Sequence, residues 1–222
     1  MTGAYYVNRF RWAACQLDSL EKCLNLGQLR TTLASLPETL DGTYSRILAS
    51  IAKEYREDAI RILQFLTFSE RPLTIGEAVD AIAVDPSSDP SFDTKLRLPV
   101  PEEILRICSS LVSLVTRQVK LKGIVMELQL AHFSVKEYLT SEKVEKTFQE
   151  GLAEISARRS ITKVCLAYLS HLGEMCSINN LVRKPEHPRE ERLAVKEAFP
   201  LAEYSAQYWM DHARPVEAEK DI

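Results

Sequence analysis

The stretch from Glu127 to Leu139, ELQLAHFSVKEYL, changes its periodicity near its middle, and this change constrains the fold strongly. In its first half the apolar residues Leu128, Leu130 and Phe133 are separated by polar or small residues, a pattern typical of a strand. From Ser134 onwards the pattern becomes helical. A strand is therefore predicted to run directly into a helix.

The start of this helix is the candidate functional site. Ser134 and Glu137 have the S-x-x-E spacing of a capping box, so Ser134 is predicted to be the N-cap. His132 lies at the junction of strand and helix. Exposed N–H groups at a helix N-terminus attract anions, and a histidine beside them can donate a further hydrogen bond. The alternative is that His132 only packs at a turn.

The chain before this stretch is predicted to be a small bundle of four helices. The first helix starts near Phe10, and Gly27 is expected to end it. Three further helices are predicted over residues 28–35, 38–54 and 56–68. The first helix carries an apolar stripe, expected to be buried, made of Phe10, Ala13, Ala14, Leu17, Leu20 and Leu24.

The middle of the chain has the order of a winged helix. It comprises a short extended piece at 73–75, a helix at 76–84, a polar loop at 85–99, a helix from Pro101 to Leu111, strands at 111–115 and 124–130, and a helix at 135–148. The two strands surround a short polar turn and read as a hairpin, which would be the wing.

The chain after residue 148 is predicted to be helical again. A long helix covers 152–172, a charged loop with an exposed His187 covers 177–192, and a last helix with an aromatic face covers 201–214. The predicted fold class is therefore mainly α. A helical bundle at 9–68 precedes a winged-helix domain with a two-stranded wing at 69–148, and a C-terminal helical segment occupies 149–222.

Composition narrows the function classes. The net charge of −3 does not favour a nucleic acid or an anionic membrane as partner. The five cysteines are an odd number without a C-x-x-C pair, which indicates a reducing compartment and argues against a zinc cluster. No apolar run approaches the roughly 18 residues of a membrane-spanning helix. We therefore expect a cytoplasmic protein.

Several motifs resemble known families. The sequences FRWAACQLD at 10–18 and LPETL at 36–40 resemble the C-terminal part of NACHT-type NTPase modules. The sequences ERPLT at 70–74, ICSSLV at 107–112 and AHFSVKEYL at 131–139 resemble the winged helix that follows, which is often labelled as inositol-deacylase type without implying hydrolase chemistry. In this order they resemble fungal NACHT–ankyrin proteins, relatives of animal NOD-like receptors in the STAND class. PLAEYS at 200–205 resembles the helix that leads into their ankyrin repeats.

This resemblance implies a role for His132. In STAND proteins a winged-helix histidine contacts the β-phosphate of bound ADP and helps to hold the closed, inactive state. The chain contains no G-x-x-x-x-G-K-[ST] loop, so we expect ADP or ATP only where an NTPase domain is supplied, and no cofactor or metal in this chain alone. The implied partners are the nucleotide-binding domain and ankyrin repeats of a full-length homologue, with self-association as a further candidate.

The sequence has features of two other functions, DNA binding and catalysis. In a DNA-binding winged helix, the segment Pro101–Leu111 would be the recognition helix, but Arg106 is its only base beside two acids. The wing adds the weak basic set Arg117, Lys120 and Lys122. An enzyme could use Ser134 beside His132, but the chain has no G-x-S-x-G elbow and Ser134 is assigned to the cap, so no catalytic residue is predicted.

Overall fold

Helices surround one small antiparallel sheet in the computed structural model, which describes residues 2–119, 123–180 and 196–220. The predicted fold class is confirmed. The helices are α1 (Thr2–Glu21), α2 (Leu26–Ala34), α3 (Leu40–Ala49), α4 (Arg56–Phe68), α5 (Ile75–Ala83), α6 (Ile104–Cys108), α7 (Phe133–Leu139), α8 (Lys146–Leu152), α9 (Glu154–Asn180) and α10 (Leu201–Lys220). The strands are β1 (Leu73–Thr74), β2 (Val112–Val119) and β3 (Gly123–Leu130).

The junction of α1 and α2 differs from the prediction. Gly27 lies inside α2, so the expectation that it ends the first helix is wrong. The side chain of Asn25 accepts a hydrogen bond from the backbone N–H of Gln28 at 2.9 Å and caps α2. Asparagine is among the strongest N-caps, and this local bond sets the helix start upstream of the glycine.

The apolar stripe predicted on the first helix faces solvent to a large extent. Phe10 is 77% exposed and Leu24 is 90% exposed, whereas Cys15 and Gln16 are buried. The Gln16 amide donates to the Thr43 hydroxyl on α3 at 2.9 Å. The helix therefore packs on α3 partly through a polar contact, which hydrophobic periodicity does not register.

The sheet has the strand order β1–β3–β2, with antiparallel neighbours throughout. The predicted hairpin is confirmed, with pairing from Val112 opposite Leu130 to Val119 opposite Gly123. The short β1 adds a third strand, in which Leu73 pairs with Leu128. The sheet therefore places the end of β3, and the residues that follow it, next to the start of the winged-helix segment.

The helix predicted from Pro101 to Leu111 is mostly not α-helical. Only Ile104–Cys108 forms an α-helix, and 3₁₀ turns lie on both sides of it. The Leu111 carbonyl accepts the Ala131 backbone N–H at 2.9 Å, which draws the chain into the sheet. Pairing with β3 thus ends this helix earlier than its apolar pattern indicates.

The single helix predicted over 135–148 is two helices, α7 and α8. The Thr140 hydroxyl donates to the Lys136 carbonyl at 2.9 Å, and the Ser141 hydroxyl donates to the Tyr138 carbonyl at 2.8 Å. These side chains occupy the carbonyls of the last turn of α7, and such local bonds compete with helix continuation. Val144 then enters the core between the two helices.

The C-terminal helices are longer than predicted. The first continues to Asn180, so the predicted loop at 177–192 is helical at its start. The remainder of that loop, including His187, lies outside the described residues. The second runs from Leu201 to Lys220 and packs along the first.

Two buried clusters hold the fold together. The first joins α3 and α4 to the winged helix and includes Tyr44, Leu63 and Leu128. The second joins α4 and α5 to α9 and α10 and includes Phe65 and Tyr204. Because both clusters extend across residues 68 and 148, the predicted regions pack against one another through shared cores. The domain boundaries themselves stay a prediction.

Candidate functional site

His132 is the N-cap of α7. Strand β3 ends at Leu130, and the extended backbone of His132 (φ −161°, ψ 151°) turns the chain into the helix at Phe133. Its Nδ1 accepts the backbone N–H of Ser134 at 3.2 Å. The predicted capping box of Ser134 and Glu137 is therefore wrong, and the cap lies two residues earlier.

The reason for this error is that the Ser134 hydroxyl has other partners. Ser134 is buried within the first turn of α7, and Glu137 is exposed. A true capping box occurs at Thr74 and Glu77, where the Glu77 backbone N–H bonds the Thr74 hydroxyl at 3.2 Å and the Glu77 carboxylate accepts the Thr74 N–H at 2.7 Å. The T-x-x-E spacing of these residues was the sequence signal for it.

A chain of hydrogen bonds leads from His132 into the core. The Ser134 hydroxyl lies 2.6 Å from Nδ1 of His132 and 2.8 Å from the Tyr44 hydroxyl. Ser134 is 5% exposed, and Tyr44 on α3 is fully buried. No signal in the sequence links Tyr44 to Ser134, because the two residues are ninety positions apart in the chain.

Arg11 on α1 brings a positive charge close to Tyr44 and His132. It donates a hydrogen bond to the Ser110 carbonyl and lies beside the Tyr44 hydroxyl. Burial raises the pKa of Tyr44, and its hydrogen bonds with Ser134 and Arg11 oppose that shift. Burial lowers the pKa of His132; the charge of Arg11 lowers it further, and Glu137 opposes both effects. The neutral imidazole is thus favoured.

His132 also lines an open concavity of about 320 Å³ on the protein surface. The end of α4, the residues leading into β1, the end of β3 and the first turn of α7 form its walls. Phe133 is 50% exposed there, and the exposed Lys136 supplies a positive charge. The concavity is at the lower limit of ligand pockets, which favours contact with part of a ligand over enclosure of a whole one.

Ser134 is poorly placed to act as a nucleophile. Its hydroxyl is buried and lies within hydrogen-bond distance of both His132 and Tyr44. A nucleophile must reach an attacked atom in a bound substrate. The proximity of Ser134 and His132 therefore has a structural explanation.

Two of the basic residues named for DNA contact, Arg106 and Arg117, are engaged in ion pairs. Arg106 lies 2.6 Å from Glu103, and Arg117 lies 3.0 Å from Glu127 on the neighbouring strand. Lys120 and Lys122 lie outside the described residues. The described part of the wing therefore presents a positive charge that is largely compensated.

The part of the chain that the structure describes contains neither a candidate metal site nor a candidate membrane-spanning helix. The histidine, cysteine and acidic side chains placed in residues 2–119, 123–180 and 196–220 form no group of three or more that could hold a metal ion. Among the same residues, no helix combines the length and the apolar character needed to cross a membrane.

The thiols of Cys15, Cys108 and Cys165 are buried, and burial raises the pKa of Cys165 to about 11.

A second buried polar cluster lies away from His132. Arg97 donates to the Asp80 carboxylate on α5 with Nε at 2.6 Å and Nη2 at 3.1 Å, and the Tyr168 hydroxyl on α9 donates to the same carboxylate. Arg97 also donates to the Ala198 carbonyl at 2.6 Å, just before α10. This cluster ties the winged-helix segment to the C-terminal helices, and sequence reasoning missed it.

Comparison with known proteins identifies a family that matches the middle of the chain. Residues 46–150 match the family described as GPI inositol-deacylase, winged helix domain. The match begins within α3 and includes His132 and Ser134, but it excludes Arg11 and Tyr44.

A curated relative, the azaphilone pigments biosynthesis cluster protein L of Monascus ruber, is 38% identical over 205 residues. The alignment covers 91% of this chain and 41% of the relative, so the chain spans less than half of the relative's length. No solved structure matches the chain.

Proposed function

Because residues 46–150 carry a winged helix domain of the GPI inositol-deacylase type, we propose that the chain is the regulatory part of a NACHT-type STAND signalling switch. In this proposal His132 contacts the β-phosphate of ADP held by a nucleotide-binding domain. The observation that carries it is the position of His132, held by Ser134 at the edge of an open concavity that also contains Lys136. A neutral imidazole and an ammonium group are both hydrogen-bond donors suited to phosphate oxygens.

The site is half of a nucleotide site in this proposal. The sequence contains no phosphate-cradling loop, and the concavity beside His132 is small and open. The partner domain would supply the phosphate loop and the magnesium ligands, and His132 would report which nucleotide is bound. No catalytic residue is assigned to this chain, and the proposed location is the cytoplasm.

The C-terminal helices fit the same role. The cluster of Asp80, Arg97 and Tyr168 joins them to the winged helix through buried charged hydrogen bonds. A change in position of the winged helix would therefore move α9 and α10 with it. Ankyrin repeats following α10 are the proposed further partner, because the segment from Pro200 resembles the helix that precedes such repeats.

DNA binding remains the alternative and has less support. Arg106 and Arg117 already have acidic partners, and affinity for DNA depends mainly on cations free to neutralise phosphates. Binding to a duplex at low salt, lost when Arg117 is replaced by alanine, would favour this alternative over the switch.

The test compares the chain alone with the chain joined to its nucleotide-binding domain. The neighbouring genomic sequence is expected to encode a G-x-x-x-x-G-K-[ST] loop upstream and in frame. Calorimetry should detect no ADP binding to the chain alone. In the joined protein, His132→Ala should weaken ADP binding about tenfold, as loss of one charged hydrogen bond predicts.

The matched control for this test is His171→Ala, which removes an imidazole on α9, where His171 packs against the Phe92 ring. It should leave ADP affinity unchanged. Tight ADP binding by the chain alone, or equal ADP affinity of the joined wild type and its His132→Ala variant, would refute the proposal.

A further inference from the structure

The hydrogen bond from the backbone to His132 shows which ring nitrogen is unprotonated. The Ser134 N–H lies 3.2 Å from Nδ1. A backbone N–H can only donate, so Nδ1 must be the acceptor. An imidazole nitrogen that accepts carries no proton, and in the neutral ring the proton is then on Nε2.

The direction of the next two hydrogen bonds follows from this assignment. The Ser134 hydroxyl has one proton, and at 2.6 Å from the unprotonated Nδ1 it must donate that proton to the ring. Towards Tyr44 the Ser134 oxygen is therefore the acceptor, and the Tyr44 hydroxyl is the donor at 2.8 Å. The phenolic oxygen then has its lone pairs free to accept.

Arg11 completes the sequence of donors. Its guanidinium lies beside the Tyr44 hydroxyl and has only donors, so any hydrogen bond between them runs from Arg11 to the phenolic oxygen. The same guanidinium donates to the Ser110 carbonyl, which holds it in place. The donor direction thus runs from α1 through α3 and Ser134 to Nδ1 of His132, whose single lone pair is shared between the Ser134 hydroxyl at 2.6 Å and the Ser134 backbone N–H at 3.2 Å.

We propose that Tyr44 is a positioning residue that acts through Ser134 to hold His132 in its neutral form with the proton on Nε2. The consequence for the ligand rests on the proposed function of His132 as a sensor. A protonated Nε2 has no lone pair, so it cannot coordinate a metal ion, and it donates to an acceptor oxygen such as that of a phosphate. Tyr44 lies just before the matched range, on the helix α3 in which that range begins.

The charges around the His132 ring also favour its neutral form. Arg11 disfavours a second proton on His132, and Glu137, which favours it, is an exposed side chain. Protonation of Nδ1 would also bring two donors, the ring N–H and the Ser134 backbone N–H, against each other. The chain of hydrogen bonds from Arg11 through Tyr44 and Ser134 to His132 is here called the relay. It opposes the imidazolium as well as the tautomer with the proton on Nδ1.

A purely structural role of the Tyr44 hydroxyl would predict a different result. In that case the hydroxyl would only satisfy the buried Ser134 oxygen, and its removal would lower stability without changing the His132 ring. A measurement of the tautomer separates the two roles. It needs no nucleotide, so its outcome is independent of whether the chain senses ADP.

The experiment is long-range proton–nitrogen NMR correlation on the nitrogen-15-labelled chain. The signals of His132 are identified by their loss in His132→Ala. The wild type should show the Nε2–H tautomer. In Tyr44→Phe the Ser134 hydroxyl loses its donor and becomes free to turn away from the ring. The Nδ1–H population should then rise several-fold, and the titration midpoint of His132 should shift upwards.

Two further variants make the result decisive. Tyr138→Phe is the control, because the buried Tyr138 ring lies with its centre 5.5 Å from that of the Tyr44 ring, while its hydroxyl is not part of the relay. This variant should leave the tautomer of His132 unchanged. Ser134→Ala should act like Tyr44→Phe or more strongly, and it covers the case in which Tyr44→Phe does not fold. A wild-type ring protonated mainly on Nδ1, or equal spectra of Tyr44→Phe, Ser134→Ala and Tyr138→Phe, would overturn the proposal.

Discussion

The Tyr204 hydroxyl lies 2.7 Å from Nε2 of His212, and both side chains are fully buried in the contact of α10 with the rest of the protein. The hydroxyl also accepts the Glu70 backbone N–H at 3.4 Å, and its own proton is available to Nε2 of a neutral His212 ring. Burial lowers the pKa of His212; Arg158 lowers it further, and Glu70 and Asp211 oppose these effects.

This arrangement predicts that stability falls in mildly acidic solution. The folded-state pKa of His212 lies below the value of about 6.5 for an unfolded histidine, so the unfolded chain binds more protons in this range. The contribution of His212 is complete above about pH 6.5 and decreases as the pH falls towards the folded-state pKa. Thermal unfolding measured between about pH 7.5 and about pH 5 should show this loss.

The comparison variant is His212→Gln, which keeps an acceptor for the Tyr204 hydroxyl but does not titrate. Its melting temperature should depend less on pH than that of the wild type over the same range. Parallel curves for the two proteins would show that His212 does not cause the acid sensitivity.

Ser134→Ala should destabilise the protein by about 1–3 kcal/mol, because it leaves the proton of the buried Tyr44 hydroxyl without an acceptor. The cap of α7 is largely kept, since the backbone N–H of residue 134 can still donate to His132. The free energy of unfolding in urea measures the effect. In a Tyr44→Phe background the same substitution should cost less, by about 0.5–1.5 kcal/mol. Additive losses would mean that the two hydroxyls do not interact.

His132→Ala should leave the protein folded and lower its stability by about 0.5–2 kcal/mol, the usual effect of removing an N-cap acceptor. Circular dichroism and thermal melting test this expectation. Loss of the cooperative transition would show that His132 is needed for the fold itself.

Arg97→Met should be strongly destabilising, by about 3–5 kcal/mol, because the Asp80 carboxylate is only 1% exposed and would lose its charged partner. Arg106→Met is the matched control, since its pair with Glu103 is exposed and such pairs contribute about 0–1 kcal/mol. Urea unfolding of both variants gives the comparison. Similar losses for the two would contradict a structural role of the buried pair.

Leu48→Ala and Leu24→Ala test the packing of the N-terminal helices. Leu48 is fully buried, so its truncation should cost about 2–5 kcal/mol. Leu24 is 90% exposed, so its truncation should change stability by no more than about 0.5 kcal/mol. A large loss for Leu24→Ala would mean that Leu24, which follows α1 and is the last residue of the predicted apolar stripe, is buried in solution.

Local patterns predicted much of the secondary structure correctly. The helix predicted over 56–68 is present as Arg56–Phe68, and the hairpin and the extended residues at Leu73–Thr74 are present as strands. Errors concentrate where side chains compete for backbone groups. Thr140 and Ser141 end α7 early, and Asn25 starts α2 upstream of the glycine. Several polar residues can make such bonds, and the pattern alone does not say which of them does.

The sequence by itself determined the mainly α fold class, the order of a winged helix and the place of His132 between strand and helix, because periodicity and turn residues act over a few neighbouring positions. Only the tertiary structure decided the partners of His132. Tyr44 meets Ser134 because the packing of α3 against α7 brings together hydroxyls that are ninety residues apart. The same packing made His132 the cap and left Ser134 to connect it to the core.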